Sequence, residues 1–329
     1  MTNVGLQPGH FDASKMETIE LPFTKEEYDA RLQRLLDMAR KQGLDLLWIT
    51  SPEGVAWTHG FFASWYKGQG PMRYPQCYGT AVHVESGRYI HFDNPTEEPV
   101  LARTSVSKEN RYTPDREAEP NIRFIMDELK AEGWLGGIVG MEFWSYVPNR
   151  AISTMFEGAF LMHGCRPVDM SEMVRKARRQ KSPQEIAYTE QAMACCDIGH
   201  KAIMEHLRPG ITELDLFGKV MAAMMEAGGE FSALIPIFNT SPMDGEIPMS
   251  NGHTMASRKV IQAGEILCAD LCGVFNRYHA NALRGYFVGD NPPVSLVEQY
   301  KKSAGSFDVI TSEVKAGMSV AEVIRLLRA

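Results

Sequence analysis

The chain has 329 residues, 44% of them hydrophobic and 23% charged, with a formal net charge of −7 at pH 7. That length allows two domains of ordinary size. The acidic balance offers no basic face for nucleic acid, and no apolar run approaches the roughly eighteen residues of a membrane span.

Residues 1–20 lack both a basic start and an apolar core, so they do not read as a signal peptide; they are expected to form a loosely held arm. Six cysteines stand at 77, 165, 195, 196, 268 and 272 with no C-x-x-C pair. That usage predicts free, buried thiols in a reducing compartment, with the cytoplasm as the expected location.

Thr24 and Glu27 form a capping box, and Tyr28, Leu32, Leu35, Leu36 and Ala39 then recur at helical spacing up to Gly43. LDLLWITS reads as a buried strand, and YGTAVHVESGRYIHFD as a hairpin turning at Ser86-Gly87. A helix over 121–132, the strand GGIVGME, a helix over 149–163 and the short strand RPVDMS follow. This alternation predicts an α/β domain over 21–172. In GWLGGIVG the glycines precede the strand, whereas a phosphate-cradling loop follows one, so no dinucleotide site is read there.

From Ser182 the texture changes. SPQE opens a long helix that ends at LRPG, and Thr212 with Asp215 opens a second that closes at Gly228-Gly229. Strand-like segments run from Phe231 to Phe287. The pattern then restarts: Ser295 and Glu298 cap a third helix, and KAGMSVAEV copies RPGITELDL, with Gly317, Ser319 and Glu322 answering Gly210, Thr212 and Asp215 at an offset of 107 residues. Residues 173–329 are thus expected to hold one complete helix-helix-sheet unit and an incomplete second one, which would leave an apolar face uncovered.

Residues 268–287, CADLCGVFNRYHANALRGYF, read as two strands joined at Asn276-Arg277. Each strand carries one short polar side chain, Asp270 and Asn281, eleven residues apart. Two readings stand: a metal site in which a carboxylate has become an amide, or a hairpin with two incidental polar residues. A carboxylate buried in a strand needs a partner, and Arg284 is a candidate. Alternation puts His279 and Asn281 on one strand face and Tyr278 on the other. His253, in the polar loop MSNGHTM, is either an imidazole suited to proton transfer or a loop residue without a role. The aromatics Phe61, Phe62, Trp65 and Tyr66 read first as core, and the nineteen methionines as packing with no cofactor implied.

These residues fill a frame that resembles the creatinase/aminopeptidase P family. In metal-dependent members the first repeat ends in D-x-G, with a second Asp eleven residues after the first and an Arg three further on; Asp270, Leu271, Cys272, Asn281 and Arg284 occupy that frame here. NGHTMASRKVIQAGEIL is similar to the preceding loop and strand, with His253 at the family's His, and LLWITSPEGVAWTHGFFASWY resembles part of the creatinase-type N-terminal domain. The resemblance implies an N-terminal α/β domain followed by an incomplete "pita-bread" catalytic domain.

It also implies a hydrolase cleaving a C–N bond of a small amidine, amide or amino-acid-like compound, with His253 as general acid/base. Trp65, Lys67, Tyr278, His279 and Arg284 are the implied substrate contacts, Trp65 and Lys67 on a loop that reaches the partner's active site in a homodimer. Asp270 and Asn281 form a degenerate metal pair, because an amide bridges hard cations poorly. No cofactor is expected; Mn, Co or Zn would need the His and two Glu ligands of the family's second repeat. Leu283 stands where creatinase has Glu, which argues against creatine as substrate. The alternatives are an Xaa-Pro-type metallo-aminopeptidase, and a non-catalytic relative that acts by binding or dimerisation.

Overall fold

The computed structural model describes residues 21–62, 77–245, 247–249 and 252–328. The expected N-terminal arm, and Trp65 and Lys67, lie outside the described residues. The chain divides into two compact units between Ile186 and Ala187.

In the first unit, α1 (Lys25–Lys41) leads to β1 (Leu46–Ile49), α2 (Pro52–His59), β2 (Gly79–His83), β3 (Tyr89–Asp93), α3 (Glu98–Thr104) and β4 (Asn110–Tyr112). There follow α4 (Ala118–Ala131), β5 (Ile138–Met141), α5 (Arg150–Met162), β6 (Arg166–Asp169) and α6 (Ser171–Arg179). The strands form one sheet in the order β4-β3-β2-β1-β5-β6, antiparallel at β1–β2 and β2–β3 and parallel elsewhere. The run LLWI is apolar throughout because both sheet faces are covered. Leu46 and Trp48 pack with Ile125 and Leu129 of α4 and Phe156 and Phe160 of α5. Leu47 and Ile49 pack with α1, α2, α3 and α6 through Leu35, Val55, Leu101 and Val174. The expected α/β domain is therefore present, and its compact unit runs past residue 172 because α6 belongs to it: Arg34 of α1 donates to the carbonyls of Ala177 and Gln180.

Two helix starts differ from expectation. α4 begins at Ala118, and Asn121 sits in its first turn, bridging the backbone N–H and carbonyl of Asp115. The helix expected to start at Ser295 starts at Val294 with no side-chain cap.

In the second unit come α7 (Pro183–His206), which begins at the end of the first, and α8 (Glu213–Glu226). After them come β7 (Ile237–Ser241), the two-residue strands β8 (Met243–Asp244) and β9 (Ile247–Pro248), β10 (Ile266–Phe275) and β11 (Tyr278–Phe287). α9 (Val294–Glu313) and α10 (Val320–Arg328) close the described chain. The repeated helix start is real in form: Thr212 and Asp215 make reciprocal capping bonds, and so do Ser319 and Glu322. β11, β10 and β7 form an antiparallel sheet in that order. Asn276 and Arg277 make its tight turn at φ +47° and +65°, with the Glu230 carboxylate accepting both their N–H groups.

One face of this sheet packs on the helices. Leu267, Ala269, Leu271 and Ala282 join Cys196 of α7 and Leu216, Val220 and Met224 of α8 in one core. α9 and α10 bury no residue, and Phe307 (65% exposed) and Val320 (76%) are among the apolar side chains they leave in solvent. No helix among the described residues is long and apolar enough to cross a membrane.

The first unit also buries a polar chain that the sequence did not announce. His59 bonds Ser105 through Nδ1 (2.7 Å) and Thr80 through Nε2 (2.9 Å); Thr80 bonds His91 Nδ1 (2.9 Å), and His91 Nε2 lies 3.3 Å from Asp93 Oδ2. Burial pushes His91 down to about 3 and Asp93 up to about 8. Well above 6.5 His91 is neutral in both folded and unfolded chains, so there only Asp93 of this pair adds pH dependence. The unfolded chain releases the Asp93 proton near the ordinary aspartate value of 3.8, and the folded chain holds it to about 8. Its contribution to stability is thus lost as pH rises toward 8. Asp93→Asn removes that linkage. Between pH 6.5 and 8.5 the thermal midpoint of the variant should fall less than that of the wild type, as read by circular dichroism; equal falls would contradict a buried, protonated Asp93.

Candidate functional site

The pleat sorts the hairpin into two faces. Opposed pairs share a face, so Asp270 with Leu283, Cys272 with Asn281, and Val274 with His279 lie together, away from α7 and α8. β7 extends this face, since Ile237 pairs with Asp270 and Asn239 with Cys268. A pocket of about 420 Å³ opens here, with Asp270, Cys272, Asn281 and His253 as its polar lining. Leu234, Ile235, Ile237 and Met255 supply apolar walls. The structure brings His253, Asp270 and Asn281 to one pocket, although they lie up to 28 positions apart in the chain.

Asp270 is partnered by Asn281. The amide Nδ2 donates to Asp270 Oδ1 at 2.6 Å and to Cys272 Sγ at 3.3 Å. With both amide hydrogens directed at these acceptors, Asn281 holds the carboxylate by a charge-assisted bond. The expected partner Arg284 is a correction: it pairs in register with Ala269, on the face of the sheet that packs on α7 and α8, and donates to the Leu283 carbonyl at 2.9 Å. Tyr278 shares that face, its ring 6.0 Å from that of Tyr188 on α7. Neither lines the pocket. His279 is on the pocket's face, but its Nε2 accepts the Ala233 N–H and its Nδ1 donates to the Arg277 carbonyl. Burial pushes this imidazole below its usual range, which favours the neutral ring these bonds require.

His253 is exposed, on a loop whose far end is fixed by Glu213 at the start of α8. This carboxylate, 2% exposed, accepts from the N–H and hydroxyl of both Thr240 and Ser257. Lys259 adds bonds to Thr240 and to the Glu265 carboxylate at 2.7 Å. Sequence reasoning missed Cys272 as a lining residue; the signal was a thiol standing where the family frame has glycine. It also missed the apolar wall from Leu234 to Ile237, for which no motif exists.

Among the described residues no group of three or more His, Cys, Asp or Glu side chains is placed to hold a metal ion. One carboxylate and one amide turned toward it do not fit a pair of hard divalent ions, which take several anionic or carbonyl oxygens.

The Creatinase/Prolidase N-terminal domain profile matches residues 31–180, and the Metallopeptidase family M24 profile matches residues 187–329. Ectoine hydrolase of Halomonas elongata is 28% identical over 300 residues, covering 86% of this chain and 70% of that protein. Among solved structures, the Xaa-Pro dipeptidase from Bacillus anthracis superposes with a TM-score of 0.71 at 20% identity, over 92% of this chain and 76% of its own. The recombinant prolidase from Thermococcus sibiricus gives 0.73 at 17% identity, again over 92% and 76%. Fold and profiles agree: the chain belongs to the creatinase/aminopeptidase P family. By that family resemblance it is a hydrolase of C–N bonds.

Asn281→Asp tests the account of the polar pair. Two carboxylates at this separation repel unless a cation lies between them. The variant should bind Mn²⁺ at least about tenfold more tightly than the wild type by calorimetry, because it gains a second anionic oxygen ligand. Equal affinities would show that the amide is not what weakens the site.

Proposed function

We propose that this chain hydrolyses a C–N bond in a small amidine, amide or amino-acid-like compound, with His253 as general acid/base. The observation that carries this reading is the pocket itself: one imidazole and one carboxylate share a cavity with apolar walls, and the second carboxylate of the metal-dependent frame is an amide. Among the described residues Asp270 is the sole carboxylate in the lining, which suits a cationic head group such as an amidinium. The apolar walls suit a short aliphatic body. The match to ectoine hydrolase, which extends over both units, directs the first trial to ectoine.

In this scheme a water adds to the polarised carbon while His253 takes one of its protons. The new C–O bond forms, the C–N bond breaks, and the imidazolium returns the proton to the departing nitrogen. Asp270 holds the positive end of the substrate, and Asn281 keeps that carboxylate in place.

The test is turnover of ectoine and of an Xaa-Pro dipeptide by the purified chain, with and without a chelator. Ectoine should be consumed in both conditions, and His253→Ala should lower kcat by about 100-fold or more with an unchanged melting temperature. Dipeptide cleavage abolished by chelation would instead establish a metallopeptidase. Activity that survives His253→Ala would remove the imidazole from the mechanism.

A further inference from the structure

We propose that Asn239 is the positioning residue for His253, acting through the backbone on either side of it. Asn239 lies on β7, on the same sheet face as Asp270, and is 4% exposed. Its side-chain Nδ2 donates to the carbonyl of Gly252 at 3.4 Å and to that of Thr254 at 3.3 Å, the residues immediately before and after His253. The neighbouring Phe238 N–H donates to the Thr254 carbonyl at 3.0 Å. One buried amide therefore spans the peptide units that set the direction of the imidazole.

The rest of the loop has a separate anchor. Glu213 and Lys259 hold Thr240, Ser257 and Glu265, so the stretch from Ser257 onward stays fixed when Asn239 is altered. Gly252, at φ +64°, makes the sharp turn that brings its carbonyl inward, a conformation that L side chains rarely adopt. The loop is thus tight at its far end and, around His253, is held by the Asn239 amide, the Phe238 N–H and that turn. Loss of the amide frees the imidazole without melting the sheet, whose β7–β10 ladder is main-chain throughout.

The inference rests on the reading of His253 as the proton-transfer group, and its test does not need turnover. The side chain of His253 is followed by carbon–proton NMR of the full chain, its signal assigned by loss in His253→Gln. In Asn239→Ala, and in the isosteric Asn239→Asp that keeps shape but loses the donor, the His253 signal should shift and broaden. Those of His200 and His279, held by other partners, should stay in place. Gly252→Ala perturbs the same loop from its exposed side and should move the same signal, which keeps the test valid if a buried substitution fails to fold. Folded Asn239 variants with an unmoved His253 signal would overturn the proposal. If they fail to fold, an unmoved signal in Gly252→Ala would do so. On a substrate turned over by the wild type, the Asn239 variants should lose about 10- to 100-fold in kcat, with KM within about threefold. A moved His253 signal with unchanged kcat would leave the positioning role standing and remove His253 from catalysis.

Discussion

Gly273 meets α7 with no side chain between them. A Cβ at that position would come within 1.9 Å of the Ala192 carbonyl oxygen, and the Gly273 N–H points to Cys196 Sγ at 2.9 Å. This close approach fixes which face of the hairpin is buried. Once Gly273, Leu271 and Ala269 face the helices, the two-residue period of the strand sends Asp270 and Cys272 the other way. The antiparallel register carries Asn281 to the same side. A slip of one residue would put Asp270 into an apolar core and Leu271 into the pocket.

The chemistry follows from what that face does and does not collect. Asp270 is paired with an amide rather than a second acid, so a hydrogen bond from Asn281 holds the carboxylate in place. In the proposed scheme such a site serves proton transfer by a loop imidazole and recognition of a small charged group. Leu234, Ile235, Pro236 and Ile237 add an apolar lining to that face. His279 and Tyr278, which a sequence reader would nominate, serve the hairpin and its helix instead.

Much of this was legible in the sequence, for identifiable reasons. The capping boxes at Thr212 and Ser319, the turn at Asn276-Arg277 and the eleven-residue spacing of Asp270 and Asn281 are local signals, and each survives in the structure. Arg284 was misplaced although the clue was present: the alternation that separates Tyr278 from Asn281 also puts Arg284 with Tyr278. Ser295 and Glu298 resembled a cap, but α9 starts one residue earlier, after Pro293, whose ring already fixes the entering backbone. The polar chain from Ser105 to Asp93 could not be read, because its members come from four separate segments brought together only by the sheet. The same holds for Asn239, whose role depends on a loop folding back over β7.

The central claim is that ligands bind on the open face of the β7–β10–β11 sheet. Methionine methyl NMR tests it most directly, because Met255 lines the pocket while Met126 and Met141 sit in the core of the first unit. On titration with ectoine, the account predicts a saturable shift of the Met255 methyl signal, with those of Met126 and Met141 unchanged. A saturable shift confined to the first unit, with Met255 still, would contradict it.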